Sequence, residues 1–186
     1  MLPMTEEAAR LLCEKARAPS ADEREKAFAD LFAAFRSSVF ALCLHVTGGR
    51  ADAEDALQDC FVAVYRGLAG FRGEARLSTW VYRIAVRSAL ATKARRPHTS
   101  LVDGVETPSA EAGPEDLAAS RQQLRKLDAA LERLSSEHRV VLSLFALDGL
   151  DHAEIAAILG VPAGTVWSRL HLARKRLNAL LAEGPP

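Results

Sequence analysis

The stretch DHAEIAAILGVPAGTVWSRLHLARKRL, residues 151–177, decides the fold of the C-terminal part of the chain. Asp151 is followed three positions later by Glu154, which resembles a capping box and predicts a helix that starts at Asp151. Gly160 is placed to end that helix in the left-handed conformation, and a proline-containing turn follows. Apolar residues then recur in three- and four-residue steps, which predicts a second helix. They are Val166, Leu170, Ala173, Leu177 and Leu180.

The opposite face of this second helix is polar, aromatic and basic. It carries Thr165, Trp167, Ser168, Arg169, His171, Arg174 and Lys175. A short helix, a tight glycine turn and a helix with such an outer face describe a helix-turn-helix. The start of a recognition helix meets base edges, and its basic groups meet phosphates. A helical hairpin with a basic face that binds no DNA gives the same pattern, so the pattern alone leaves that alternative open.

Helical periodicity dominates the rest of the chain, and no stretch alternates convincingly like a strand. The first two predicted helices span residues 27–46 and 51–68, and a third begins near Ser78 or Thr79 as its N-cap and ends before Pro97. Helical patterning resumes at Leu124. The next helix begins at Ser135-Ser136 and ends at Asp148-Gly149. The predicted fold is therefore all-α. It has two small helical domains joined by a flexible acidic linker, the C-terminal domain being the helix-turn-helix.

Charge is arranged in blocks, although the formal net charge is +0. Residues 71–98 hold seven Lys or Arg against one acid, residues 99–120 hold five acids and no Lys or Arg, and residues 163–179 hold four Lys or Arg and no acid. Two basic blocks separated by an acidic one favour two DNA-facing modules with a tether that avoids DNA. Such blocks are also typical of solvated faces, so they are weak support when taken alone.

Composition narrows the class of protein. Apolar residues make up 49% of 186, yet no apolar run approaches the roughly 18 residues that span a bilayer. The N-terminus lacks the basic-then-apolar layout of a signal peptide, so we expect no membrane insertion and a cytoplasmic location. The three cysteines (Cys13, Cys43 and Cys60) are odd in number and widely spaced. This favours packed thiols over a disulfide framework or a zinc site.

The sequence shows none of the common motifs of an enzyme active site. The five histidines show no metal-ligand spacing, and there is no phosphate-binding loop or nucleophile elbow. We therefore expect no enzyme, no cofactor and no metal site.

Two long motifs resemble those of the extracytoplasmic-function sigma factors of bacterial RNA polymerase. Residues 131–142 (LERLSSEHRVVL) and 148–170 (DGLDHAEIAAILGVPAGTVWSRL) are similar to region 4 of that family. Residues 47–59 (TGGRADAEDALQD) and 71–85 (FRGEARLSTWVYRIA) are similar to its region 2. The motifs stand in the family's order, with a linker of suitable length between them.

The resemblance implies a division of the chain and a function. Residues 1–26 would be a variable leader, 27–97 region 2, 98–120 the linker and 121–183 region 4. The chain would be a non-enzymatic subunit that binds core RNA polymerase and directs promoter-specific initiation. The alternative is a helix-turn-helix regulator that binds DNA without joining polymerase, and the region 2 motif counts against it.

The resemblance also implies partners. Region 2 would dock on the clamp helices of the beta-prime subunit and region 4 on the beta flap, and an anti-sigma factor is the default expectation. The matching polymerase-binding residues are Asp52, Asp55, Gln58 and Asp59. By spacing, the three acids share one helical face opposite the apolar stripe. A solvated acidic face without a partner is the alternative.

The basic block of region 2 matches the part of the family that reads and opens the minus-ten element. The residues at those positions are Phe71, Arg72, Arg76, Trp80, Arg83 and Arg87. Trp80 shares a face with Ile84, so it fits the core as well as DNA. Many relatives carry Asn where this chain has Arg87, in a position associated with base selection.

The recognition helix of region 4 matches the part that reads the minus-thirty-five element, with the seven outer-face residues from Thr165 to Lys175 as candidates. Arg169 could instead pair with an acid across the turn. Relatives usually hold Lys or Arg at position 167, and Trp167 replaces that charge with a flat apolar surface. Either one phosphate or guanine contact is then lost, or Trp167 packs on a thymine methyl. The acidic linker matches a stretch that passes near the active-centre and RNA-exit channels, and a plain tether is its alternative.

Overall fold

A computed structural model describes the chain over residues 20–95 and 114–183. These residues form seven helices and no strand, so the all-α prediction is confirmed. The helices are α1 (Ala21–Thr47), α2 (Arg50–Leu68), α3 (Leu77–Arg95), α4 (Pro114–Glu132), α5 (Ser136–Asp148), α6 (His152–Leu159) and α7 (Ala163–Glu183). The predicted acidic linker falls largely on residues 96–113, outside the described residues.

Helices α1, α2 and α3 all pack against one another. Helix α1 begins at Ala21, earlier than predicted, and its buried apolar residues keep the three- and four-residue spacing. It ends where Gly48 adopts φ 89°, a left-handed backbone that glycine accepts without a side-chain clash. The Gly48 amide donates to the Leu44 carbonyl at 2.9 Å, and α2 starts directly afterwards. The turn thus lays α2 back along α1.

Two further helix starts differ from prediction. Helix α3 begins at Leu77, one or two residues before the predicted N-caps, because the Arg76 carbonyl already accepts the first helical hydrogen bond, from the Trp80 amide at 3.1 Å. Thr79 is buried inside the helix and does not cap it. Helix α4 begins at Pro114, ahead of the patterning that starts at Leu124, and proline is well tolerated in a first turn.

The last four helices form the second half of the fold. Helix α7 packs on α4, α5 and α6. One apolar cluster holds α4 to α7 through Leu131, Leu134 and Leu180. The start of α5 is capped by Ser135, whose hydroxyl accepts from the His138 amide at 3.4 Å, and its end at Asp148-Gly149 is as predicted.

The two halves share one hydrophobic core, which the sequence pattern did not indicate. Helix α1 packs against α5, and α3 packs against α6. Leu31 and Leu42 of α1 belong to the same buried cluster as Leu144 of α5 and Ile155 of α6. Helix α1 has the length and apolar composition of a membrane span, and eight of its residues belong to this buried core.

The two cysteines among the described residues are free and buried, as predicted for packed thiols. Burial raises the pKa of the Cys60 thiol to about 12, and it raises the pKa of Cys43 further, with a smaller contribution from Cys60. Both side chains therefore behave as small apolar groups. Cys13 lies outside the described residues.

Candidate nucleic-acid interface and acidic face

The helix-turn-helix is built by local backbone chemistry. The Glu154 amide donates to Asp151 Oδ1 at 2.8 Å, and the Asp151 amide donates to Glu154 Oε2 at 3.0 Å, so the predicted capping box is confirmed. Gly160 ends α6 at φ 67°, and its amide donates to the Ala156 carbonyl at 2.8 Å. The axes of α6 and α7 differ by 104°. At this angle α7 packs across the other helices of the C-terminal half, and its outer face is exposed to solvent.

The outer face of α7 presents an aromatic pair and a basic end. Trp167 is 62% exposed, and its ring stacks on His171 with centroids 5.7 Å apart and planes within 7°. Lys175 is exposed one turn further along the helix. The Arg174 guanidinium lies 4.5 Å from the centroid of the Phe145 ring, a cation–π contact that aligns it along α5.

Three of the predicted reading residues are held by contacts within the protein. Arg169 Nη2 donates to Glu137 Oε1 at 3.0 Å. Arg169 therefore pairs with an acid, but this acid lies on α5 and not across the turn as the alternative had it. The Ser168 hydroxyl donates to the Thr165 carbonyl at 3.0 Å, and Thr165 is half-buried. Trp167 and His171 are the exposed aromatic residues of this face, and Ser168, Arg174 and Lys175 are exposed beside them.

The basic surface of the first half surrounds the loop between α2 and α3. Arg72, Arg76, Arg83 and Arg87 are exposed there. Phe71 and Trp80 are half-buried and pack on one another with ring centroids 5.1 Å apart. Trp80 also lies against Gly67 of α2, so the indole is part of the local packing as well as of this surface.

Two of these arginines contact the second half of the molecule. Arg76 pairs with the carboxylate of Glu154, the residue that also completes the capping box. Arg83 Nη2 donates to the Ala157 carbonyl at 2.6 Å. Helix α6 therefore lies on part of the surface predicted to bind the minus-ten element, which the sequence alone did not reveal.

The acidic residues of α2 divide into two environments. Asp55, Gln58 and Asp59 are exposed and, with Thr92 and Arg95 of α3, line an open depression. Arg95 Nη2 donates to Asp59 Oδ2 at 2.8 Å. This part of the helix has the acidic face that the spacing predicted.

Asp52 departs from the prediction that all three acids share an exposed face. It is 1% exposed in the first turn of α2. A carboxylate in a first turn also complements the helix dipole. Asp52 lies close enough to Lys93 of α3 to favour the charged ammonium, although burial is the main influence and lowers the pKa of Lys93.

Polar residues at the contact between the halves are functional candidates that the sequence analysis missed. His45 Nδ1 of α1 lies 3.2 Å from Ser143 Oγ of α5, and burial lowers the pKa of His45. Arg139 of α5 is 4% exposed, and burial lowers its pKa too. In the sequence, His45 and Arg139 each lie near apolar residues of a helix, which is the pattern that could have indicated their burial. Helical spacing alone does not show what such residues face.

Comparison with known proteins agrees with this architecture. Residues 31–97 match the family described as Sigma-70 region 2, and residues 124–177 match Sigma-70, region 4. These segments hold the acidic face with the loop arginines and the helix-turn-helix, respectively. The chain belongs to the sigma-70 family of RNA polymerase sigma factors.

Within that family the chain is an extracytoplasmic-function sigma factor. It is 37% identical over 166 residues to the ECF RNA polymerase sigma-E factor of Escherichia coli (strain K12), covering 83% of this chain and 86% of that protein. Its fold is similar to CnrH in complex with the cytosolic domain of CnrY, with TM-score 0.69, 24% identity and coverage of 94% and 97% of the two chains. It is also similar to the sigma factor RpoE in complex with the anti-sigma factor NepR from Bartonella quintana, with TM-score 0.64, 24% identity and coverage of 84% and 98%.

Proposed function

We propose that this sigma factor joins core polymerase through the exposed acidic face of α2 and brings it to promoters read by two separate surfaces. The loop before α3, together with α3, takes the minus-ten element, and α7 takes the minus-thirty-five element. The observation that carries the proposal is the outer face of α7, which projects an exposed aromatic pair beside basic side chains from a helix-turn-helix. The alternative, a DNA-binding regulator that does not join polymerase, does not explain why residues 31–97 match Sigma-70 region 2.

The polymerase contact is assigned to Asp55, Gln58 and Asp59. Their exposure and charge suit a basic partner, such as the clamp helices of the beta-prime subunit, with the beta flap left for region 4. Arg95 already bonds Asp59, so a partner guanidinium would compete for that carboxylate. Asp52 is buried in the first turn of α2, so it does not face a partner.

Charge reversal tests this assignment. The double variant Asp55→Lys/Asp59→Lys should lose most of its affinity for core polymerase while its helical content, measured by circular dichroism, stays that of the parent. Glu54→Lys is the matched control, because Glu54 is exposed on another face of α2 and pairs with Arg50 at 3.0 Å. Equal core affinity in the double variant and the parent would refute the assignment.

The minus-ten surface combines phosphate contacts with aromatic packing. Arg72 and Arg87 are exposed on it and suit phosphates. Arg76 and Arg83 are also assigned to DNA, but a guanidinium that donates to α6 cannot use the same N–H groups for a phosphate. A phosphate must therefore bind other N–H groups of these guanidiniums, each of which has five. Melting costs on the order of 1.4 kcal/mol per base-pair step, so the polymerase must share that cost with Phe71 and its neighbours.

The remaining assignments follow from this role. The chain supplies recognition and no chemistry of its own, so we infer that it is not an enzyme and needs no cofactor or metal. It works in the cytoplasm, where core polymerase and promoter DNA are found. A dedicated anti-sigma factor is a further expected partner, supported by the fold similarity to a sigma factor solved in complex with NepR.

Run-off transcription is the direct test of the proposed function. The purified chain and bacterial core polymerase are mixed with DNA from upstream of the chain's own gene. A discrete transcript that requires both components supports promoter-specific initiation. Core binding without a transcript refutes this template as its promoter, and the absence of both core binding and transcript refutes the region 2 assignment.

A further inference from the structure

The stacked pair of Trp167 and His171 is the most unusual feature of the outer surface. Trp167 is 62% exposed, whereas its neighbours Val166 and Leu170 on the inner face of α7 are buried. His171 lies one turn further on, and the two rings are parallel within 7°. The indole therefore contributes little to the core and projects from the recognition helix.

Stacking fixes the orientation of the indole. With one ring face against His171 at a centroid distance of 5.7 Å, the tryptophan side chain has few rotamers left to lose on binding. The pair therefore presents a rigid, flat and largely apolar surface. Rigid aromatic groups of this kind bind at low entropic cost.

The charges around the pair indicate the kind of partner. Residues 163–179 contain four Lys or Arg and no acid. Arg174 lies two turns from Trp167 on the same stripe, and Lys175 lies beside it, both exposed. An apolar plate flanked by cations suits a polyanion that carries an apolar group, rather than an apolar protein surface.

The major groove of DNA offers one such group. Its edges carry hydrogen-bond donors and acceptors, except for the 5-methyl group of thymine. The neighbouring polar groups of α7 are already engaged, since Ser168 donates to the Thr165 carbonyl and Arg169 donates to Glu137. The pair is thus the exposed part of the helix whose chemistry fits an apolar base feature.

We propose that Trp167 reads a thymine of the minus-thirty-five element through its 5-methyl group, with His171 as the positioning residue that holds the indole. This inference rests on the proposed function, in which α7 enters the major groove. It adds the identity of one base and the group by which that base is recognised.

The size of the effect follows from one methyl group. Deoxyuridine pairs as thymidine does but lacks the 5-methyl, so replacing the recognised thymidine should weaken binding about fourfold. In Trp167→Ala the ratio of affinities for the two DNAs should fall to about 1. The ratio should also fall in His171→Ala and be retained in His171→Phe, which keeps a flat ring under the indole.

The experiment uses the full chain with core polymerase. Duplexes randomised across the minus-thirty-five element are selected by the complex, and each thymidine of the selected sequence is replaced in turn by deoxyuridine. Affinities are measured for the parent, for Trp167→Ala and for the matched control Leu172→Ala. Leu172 is a 53% exposed apolar residue of the same helix outside the stack, so its removal should leave the fourfold preference intact.

The outcomes separate the inference from the function beneath it. A fourfold preference at one thymidine that disappears in Trp167→Ala supports the inference. Selection of a defined element without methyl dependence, or a preference that survives in Trp167→Ala, overturns the inference and leaves the proposed function standing. If Trp167→Ala binds core polymerase more weakly while the ratio of its affinities for the two DNAs is unchanged, the inference is overturned in favour of a protein-docking role. Failure to select any element overturns both.

Discussion

Gly67 allows Trp80 to pack against α2, and adding a single methyl group there should disturb the aromatic pair beside the predicted minus-ten surface. A Cβ at position 67 would lie 2.8 Å from Cζ2 and 3.4 Å from Cη2 of the Trp80 ring. The indole cannot retreat freely, because Phe71 packs on it with ring centroids 5.1 Å apart. The substitution Gly67→Ala therefore forces the indole to shift.

The expected loss of stability is the difference between two opposing effects. Overpacking a well-filled site costs about 1–3 kcal/mol. Alanine in a helix is favoured over glycine by about 1 kcal/mol, and Gly67 lies in the last turn of α2. We expect Gly67→Ala to lower the free energy of unfolding by about 1 kcal/mol.

Urea unfolding followed by tryptophan fluorescence measures this change. The chain has two tryptophans, so a Trp167→Phe background leaves Trp80 as the reporter. The midpoint should fall by about 0.5 M for an m-value of about 2 kcal/mol/M, and the native emission of Trp80 should change. Gly70→Ala is the control, since its Cβ would meet the Gly67 carbonyl oxygen at an ordinary 3.6 Å. An unshifted midpoint with unchanged emission in Gly67→Ala would refute the packing argument.

Three further predictions concern the cap, the buried histidine and the thiols. Asp151→Ala removes the N-cap hydrogen bond of α6 and should cost about 1 kcal/mol, seen as a melting temperature about 2–4 °C lower; an unchanged melting temperature would contradict the capping geometry. Burial lowers the pKa of His45 from its ordinary 6.5, so the unfolded chain binds the proton more readily than the folded chain. The stability that the neutral histidine allows should be complete above about pH 6.5 and should decline as the pH falls below it. The urea midpoint of His45→Gln should decline less over the same pH range. In a Cys13→Ser background, the buried Cys43 and Cys60 should react with a disulfide reagent only slowly until urea unfolds the chain, and fast reaction in the native state would show that they are accessible.

Local sequence chemistry made the helix-turn-helix predictable. The capping box of Asp151 and Glu154 and the left-handed Gly160 lie within ten residues of one another, and each acts on its own stretch of backbone. The start of α3 was less predictable, because the group that accepts its first hydrogen bond is the carbonyl of Arg76. A carbonyl is present at every residue and leaves no signature in the sequence.

Burial that depends on distant segments was not predictable from spacing. Asp52 has the same helical phase as Asp55 and Asp59, but it is buried whereas they are exposed. The contact of His45 with Ser143 joins residues 98 positions apart, and periodicity shows that a helix has an inner face without showing what packs there. The recognition helix, by contrast, exposes Trp167 as its pattern indicated.

The two oxygens of the Glu154 carboxylate have separate tasks. Oε2 accepts the Asp151 amide and completes the start of α6, while Oε1 is the atom that meets Arg76 of the first half. Because the Asp151 bond uses an oxygen of its own, the cap at the start of α6 does not depend on the Arg76 contact.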